Sequence, residues 1–160
     1  MMGIDRRAAW MVLAAVLPAI AFGGATKQQP QGTGGYTRYH PESLTQGARV
    51  FYKSQWGVDN MRVQRAASGK LVRFSYRVVD PARAAVLNAE RDIPYLIDPK
   101  RNVVLQVPKV EQVGDLRQKG TPVAGMTYWM AFSNKNEPVK AGDRVSIAIG
   151  TFRADGLIVE

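Results

Sequence analysis

Short runs of alternating apolar and polar residues constrain the fold of this 160-residue chain more than any other feature. The clearest run is LVRFSYRVVD at 71–80, where every second side chain from Val72 to Val78 is apolar. A period of two predicts a β-strand with one buried and one solvent-facing side. About six or seven such strands, separated by Gly, Pro and Asp turns, lie within 58–160. The sequence therefore predicts an all-β domain, first as an antiparallel immunoglobulin-like β-sandwich and second as a small barrel.

The first two predicted strands, 58–66 and 71–80, flank the turn sequence ASGK. A two-residue turn at Ser68-Gly69 sets their register. The facing pairs are then Val63 with Phe74 and Met61 with Tyr76 on the apolar side, and Asn60 with Arg77, Arg62 with Ser75 and Gln64 with Arg73 on the polar side. Apolar and polar residues separate onto opposite sides, which supports this register.

Turn residues divide the rest of the chain into further elements. We expect a short helix within 41–57, starting at Pro41 and Glu42, and a helical turn at 81–88 with Pro81 in its first position. The remaining segments are a hairpin of 94–98 and 103–108, a long connection at 111–125, and strands in 126–134 and 144–160, with Gly150 or Asp155-Gly156 marking a bulge or turn. Alternation in 126–134 puts Met126, Tyr128, Met130 and Phe132 on one face and Trp129 on the other.

The first 25 residues differ in composition from the predicted domain. Arg6 and Arg7 precede 8–25, which contains no charged residue, and AIA at 19–21 resembles a cleavage site. These features predict a signal peptide, with retention as an N-terminal membrane anchor as the competing interpretation. Residues 26–40 are rich in Gln, Gly, Thr and Pro and predict a flexible linker. We therefore expect export, to the periplasm or to the outer side of the inner membrane.

Cysteine usage and charge narrow the chemistry. The chain has no cysteine, which excludes disulfides, thiol catalysis and thiolate metal sites. It carries a net charge of +9, which favours acidic partners: a protein surface, anionic lipid headgroups or an acidic polymer. Export makes nucleic acid an unexpected partner despite this charge. Oligomeric state does not follow from the sequence.

Several phrases between Trp56 and Glu160 are similar to those of a family of small exported bacterial proteins of uncharacterised function. They are WGV at 56, FSYRVVDPARA at 74, PYLID at 94, VPKV at 107, GDLRQ at 114, AFSN at 131 and VKAGDRVSIAIGTFRADGLIVE at 139. The resemblance implies an exported single domain. It implies no reaction and no functional residue, because these phrases are turns and strands rather than catalytic signatures.

Candidate catalytic and metal-binding residues are few. His40 is the single histidine and falls in the predicted linker. A methionine-only copper site would need Met61, Met126 and Met130, but the alternation indicates that these side chains pack in the core. Asp80 is expected to cap the 81–88 turn and Asp143 to form a turn, while the other candidate carboxylates lie in loops: Asp92, Asp98 and Asp115. We expect a chain with no catalytic activity, no cofactor and no metal.

A basic surface is the remaining functional candidate. Arg62, Arg73 and Arg77 share the polar side of the first hairpin. Lys109 and Arg117 lie in the predicted loop at 109–125, and Trp129 is expected to point outward as a partner anchor. The sequence thus predicts a binding or accessory module that holds an acidic partner or a neighbouring subunit. The alternatives are a structural subunit of a membrane complex with a retained N-terminal helix, and an enzyme that uses the loop carboxylates.

Overall fold

The computed structural model describes residues 44–160 and shows a mostly β chain. Its elements, in chain order, are α1 (Gln46–Trp56), β1 (Val58–Ala66), β2 (Leu71–Val78), α2 (Pro81–Asn88), β3 (Pro94–Asp98), β4 (Val103–Gln106), β5 (Lys109–Val110), β6 (Gly114–Asp115), β7 (Thr127–Ser133), β8 (Arg144–Ile149) and β9 (Phe152–Ile158). The predicted leader at 1–25, the predicted linker at 26–40 and the proposed helix start at Pro41 and Glu42 lie outside the described residues.

Sheet A consists of β1, β2 and β7, in the spatial order β1-β2-β7, and every pairing is antiparallel. The predicted hairpin register is confirmed from Arg62 to Ala66, where Val63 faces Phe74. A β-bulge then shifts the register by one residue near Asn60, whose φ is 48°. The predicted pairing of Asn60 with Arg77 is therefore wrong, because Asp59 takes that place.

Sheet B consists of the remaining four long strands, in the order β4-β3-β8-β9, and is also antiparallel. The predicted hairpin of 94–98 with the strand after it is confirmed, with Asp98 opposite Val103. Gly150 lies in the β8–β9 turn with φ 53°, and Gly156, with φ 74°, lies where the register of β8 and β9 shifts. Of the two glycine positions proposed as a turn or bulge, Gly150 forms a turn and Gly156 lies at a bulge.

One core joins the two sheets. Its fully buried members include Phe74, Tyr76 and Phe132 from sheet A with Ile147 and Leu157 from sheet B. Each large apolar side chain buried in this way contributes about 1.5–3 kcal/mol, as an upper estimate. The C-terminal residues also link the sheets, because the strand-like tail after β9 forms a parallel bridge between Val159 and Val63. The Glu160 amide donates to the Val63 carbonyl at 2.8 Å.

Helix α1 lies within the predicted 41–57 segment. The Thr45 side chain accepts from the Ala48 amide at 3.3 Å and caps the helix, which begins at Gln46. Gly57 ends it in the left-handed conformation, with φ 63°. Tyr52 is buried, whereas Phe51, which shares the helical apolar spacing, is 53% exposed.

Helix α2 matches its prediction. Pro81 occupies the first turn, and the Asp80 carboxylate accepts from the amides of Ala82 and Arg83 at 3.0 and 3.3 Å. Asp80 therefore acts as a cap, as expected.

The start of β7 differs from its prediction. Met126 lies outside the strand and is 56% exposed, because β7 begins only at Thr127. The assignment of Met126 to the core is therefore wrong, whereas Met130 and Phe132 are fully buried as predicted.

Candidate functional site

The outer face of sheet A is the surface opposite its buried side. On β2, the side chains of Val72, Phe74 and Tyr76 point into the core, so Arg73, Ser75 and Arg77 point out. Pairing across the sheet places Trp129 beside Ser75 and Gln64 beside Arg73. The structure therefore brings four of the predicted binding residues onto one face: Arg62, Arg73, Arg77 and Trp129.

Arg77 does not carry a free charge on this face. Its Nε and Nη2 atoms donate to the two Asp59 carboxylate oxygens at 2.8 and 2.7 Å. The hydrogen bond from Arg77 lowers the pKa of Asp59 below its usual range, against the opposing effect of desolvation. The β-bulge makes this bidentate pair possible by bringing Asp59 opposite Arg77. Asp59 thus compensates one of the predicted binding charges.

Arg62 is compensated more loosely, by the last residue of the chain. Its Nε lies 3.8 Å from a Glu160 carboxylate oxygen, and Gln64 donates to the other oxygen at 3.0 Å. Glu160 reaches this face because the C-terminal tail pairs with β1. On the same strand, Arg65 binds Glu137 at 3.2 Å.

Arg73 differs from both neighbours. Its guanidinium carbon lies 5.1 Å from the centre of the Trp129 ring, within cation–π range, and no described carboxylate pairs with it. Trp129 is half-buried and points outward, as predicted. The Gln118 side chain accepts from the Trp129 amide at 3.0 Å, and the Gln118 amide donates to the Trp129 carbonyl. These two hydrogen bonds with Gln118 fix the backbone of Trp129.

The two predicted binding residues of the 109–125 loop differ in exposure. Lys109 is exposed on β5, and Lys119 pairs with Asp115 at 2.6 Å. The hydrogen bond from Lys119 lowers the pKa of Asp115. Arg117 is only 9% exposed, which removes it from an accessible binding surface.

Arg117 instead holds the loop between α2 and β3. Its guanidinium donates to three backbone carbonyls, those of Ala89, Glu90 and Asp92, at 2.8 to 3.0 Å. Its backbone bridges to Met130, a buried residue of β7, so its side chain is directed inward. No alternation or motif around 111–125 signals this burial, and sequence reasoning missed it.

A second polar group lies near Arg117 in the interior. The Tyr76 hydroxyl donates to Asn88, and the Tyr76 ring stacks on Tyr128 with centres 6.1 Å apart. Burial raises the pKa of Tyr76 well above its usual range. Two buried donors have no protein partner among the described residues: Asn88 Nδ2 and Arg117 Nε.

Two of the candidate carboxylates, Asp98 at the end of β3 and Asp143 in the loop before β8, lie close together because both bind Arg101. Arg101 contacts buried Asp98 at 2.8 Å and Asp143 at 2.6 Å, and so ties the β3–β4 turn to the loop before β8. Desolvation raises the pKa of Asp143, but the hydrogen bonds from Arg101 and the Lys140 amide outweigh it and leave that pKa below its usual range. This arrangement joins turns and leaves neither carboxylate without a cationic partner.

Metal ligands do not converge in the part of the chain that the structure describes, where no three His, Asp or Glu residues are placed to hold an ion. Met61 and Met130 are buried in the core, Met126 is exposed elsewhere, and His40 lies outside the described residues. Among residues 44–160, no helix has the length and hydropathy needed to cross a bilayer. Comparison of the chain with family models, curated proteins and solved structures found no match.

Proposed function

We propose that this chain is a non-catalytic binding or accessory module that holds an acidic protein partner on the outer face of sheet A. The observation that carries the proposal is the pairing of Arg73 with Trp129. Arg73 is exposed and lacks a described carboxylate, whereas Arg77 and Arg62 have Asp59 and Glu160. The proposed binding surface is therefore centred on Arg73 and Trp129 rather than on all three arginines.

A guanidinium held against an indole ring suits carboxylate recognition. A cation–π contact does not use the N–H donors of the guanidinium, which can form two parallel bonds to a carboxylate. Holding the side chain in one orientation also lowers the entropy lost on binding. Trp129 adds apolar contact area beside the charge, and Trp and Arg are the residues most enriched at energetically important positions of interfaces.

The neighbouring ion pairs would form the edge of this surface. The Arg77–Asp59 pair is bidentate and half-exposed, so it presents a fixed polar border rather than a strong net charge. Ser75 lies between Arg62 and Trp129 and offers a hydroxyl at the centre. A polar rim around an aromatic centre is the usual arrangement of transient protein interfaces.

We also propose an immunoglobulin-like arrangement of the two sheets and a location of the domain outside the cytoplasm. A three-stranded sheet of order β1-β2-β7 beside a four-stranded sheet of order β4-β3-β8-β9 supports an immunoglobulin-like sandwich, because the first, second and fifth long strands share one sheet. The basic leader followed by the uncharged run at 8–25 supports export, with the domain outside the cytoplasm. Adhesion or assembly modules are commonly built on such sandwiches.

The test is capture of a partner from solubilised membranes at low and high salt, followed by reconstitution with the purified partner. We expect Arg73→Glu to weaken the affinity by at least ten-fold and Trp129→Ala by a similar factor. Arg153→Glu is the matched control, because Arg153 is an exposed arginine of β9 paired with Asp155. Equal affinity of Arg73→Glu and Arg153→Glu for the purified partner would contradict the proposal.

A further inference from the structure

Three turns meet at one end of the domain and share a charge pattern. They are the β1–β2 turn at 67–70, the β3–β4 turn at 99–102 and the β7–β8 loop at 134–143. The buried Asn134 amide donates to the Gly69 carbonyl at 2.8 Å, and Arg101 binds Asp143 at 2.6 Å. The β7–β8 loop thus holds the other two turns beside it.

Four exposed lysines lie on these turns: Lys70, Lys100, Lys135 and Lys140. None of their ammonium groups takes part in an ion pair or hydrogen bond within residues 44–160. The carboxylates nearest to them are already bound, because Arg101 binds Asp98 and Asp143 and Arg65 binds Glu137. Two arginines are bound to three carboxylates at this end, so with its four lysines these side chains sum to a net charge of +3. We call this end the lysine end.

Helix α1 starts at the same end of the domain. Trp56 packs against Phe152 with ring centres 5.4 Å apart, while the Tyr52 hydroxyl, one turn earlier, accepts from the Asp155 amide at 3.3 Å. Helix α1 therefore runs antiparallel to β9, so its first residue lies toward the end of β9. That strand end reaches the β7–β8 loop, where the Gly142 amide donates to the Val159 carbonyl at 2.7 Å.

We propose that the lysine end docks on an anionic lipid surface. Lysine ammonium groups are point charges on flexible stems, which suit mobile phosphate headgroups better than a fixed bidentate geometry. The three turns expose no large apolar side chain, although protein interfaces are enriched in aromatic anchors. The uncharged run at 8–25 precedes this helix in sequence, so a leader retained as an anchor would insert into the bilayer that the lysine end contacts. This surface is separate from Arg73 and Trp129.

The absence of cysteine allows a direct test with the full chain. A fluorophore is attached to Ala141→Cys on the lysine end, or to Thr151→Cys in the β8–β9 turn at the other end of β8. Each protein is reconstituted in phosphatidylcholine vesicles with or without phosphatidylglycerol, and quenching by a headgroup-labelled lipid is measured. We expect quenching at position 141 to rise several-fold with phosphatidylglycerol and to fall at high salt, while position 151 does not change.

Replacing the lysines tests their contribution to lipid docking separately from that of the leader. Replacing one lysine of the lysine end by Gln is expected to lower the ratio of docked to undocked protein about five-fold, and replacing all four should abolish the lipid effect. The control variant removes four charges elsewhere, at Lys53, Arg83, Lys109 and Arg153, and should keep it. Equal quenching at position 141 in the two vesicle types, or quenching kept by the four-lysine variant, would overturn the proposal.

An acidic protein at this end would give a different result. In that case position 141 would be quenched in neither vesicle type, while the four-lysine variant would lose a protein that the unmodified chain captures. That outcome would also overturn docking on lipid. Because Arg73 is unchanged in every variant of this experiment, its result does not depend on the outer face of sheet A.

Discussion

Replacing Arg117 by methionine should destabilise the fold, although a lone charge in the interior is normally unfavourable. Methionine keeps most of the apolar stem and volume of the side chain, so the substitution mainly removes the guanidinium. That group donates to the carbonyls of Ala89, Glu90 and Asp92. The loop at 89–92 then loses the side chain that connects it to β7.

The expected magnitude follows from those three hydrogen bonds. Each intramolecular hydrogen bond contributes about 1 kcal/mol net, and more when one partner is charged. The three carbonyls belong to partly exposed residues and would be rehydrated after the loss, which reduces the cost. Removing a buried charge also regains solvation energy. We expect the free energy of unfolding to fall by about 2–3 kcal/mol for Arg117→Met and by about half as much for Arg117→Lys, since an ammonium group cannot reach all three carbonyls in the plane of a fork.

Urea unfolding of the full chain, followed by tryptophan fluorescence, measures this change. With a slope of about 1.5 kcal/mol per M, the midpoint should fall by about 1.3–2 M for Arg117→Met. Arg153→Met is the control, because Arg153 is exposed on β9 and its loss should change stability by less than about 0.5 kcal/mol. The reasoning is refuted if Arg117→Met unfolds at the midpoint of Arg153→Met, or if Arg117→Lys is the less stable of the two Arg117 variants.

Three further predictions concern the turns, an ion pair and the leader. Gly57→Ala should lower the unfolding temperature and cost about 2 kcal/mol, because φ is 63° and the added Cβ would lie 2.5 Å from a backbone oxygen. Gly47→Ala, in the same helix with nothing within 4 Å, should instead raise stability by about 0.5–1 kcal/mol. The lowered pKa of Asp59 means that its pair with Arg77 stabilises the fold above the unfolded value of 3.8 and that this contribution is lost as the pH falls through the folded pKa. Unfolding measured across this range should therefore show a shallower acid loss for Asp59→Asn; identical acid profiles would exclude the pair as a source. Mass spectrometry of the protein isolated from cells should show a chain that begins near Phe22 or Thr26, whereas a full-length mass would favour a retained anchor.

Much of sheet A follows from local pattern. The register from Arg62 to Ala66 could be predicted because apolar and polar residues separate on both strands only when Val63 faces Phe74. The bulge at Asn60 could not, since a positive φ of 48° at an asparagine leaves no periodic signal in the sequence. That one residue decides whether Arg77 faces an amide or a carboxylate.

The sequence predicted which residues lie on the face of the candidate site, but not which of their charges are paired. Outward directions of Arg73 and Trp129 follow from alternation, and both are confirmed. The cation–π contact of the two side chains requires β2 and β7 to be neighbours, although more than 50 residues separate Arg73 from Trp129 in sequence. Burial of Arg117 was missed because the side chain of an arginine in an irregular segment carries no period.

By itself, the sequence determined which residues face inward in the regular stretches of sheet A, because alternation acts within a few positions and strand geometry converts it directly into sides. It also determined the excess of positive charge. Only the tertiary structure decided where that charge is left uncompensated. Glu160 reaches Gln64 across 96 positions, and Glu137 reaches Arg65 across 72. Coulomb interactions depend on distance in space, so the partners of Arg62 and Arg65 are set by chain folding and not by sequence neighbours.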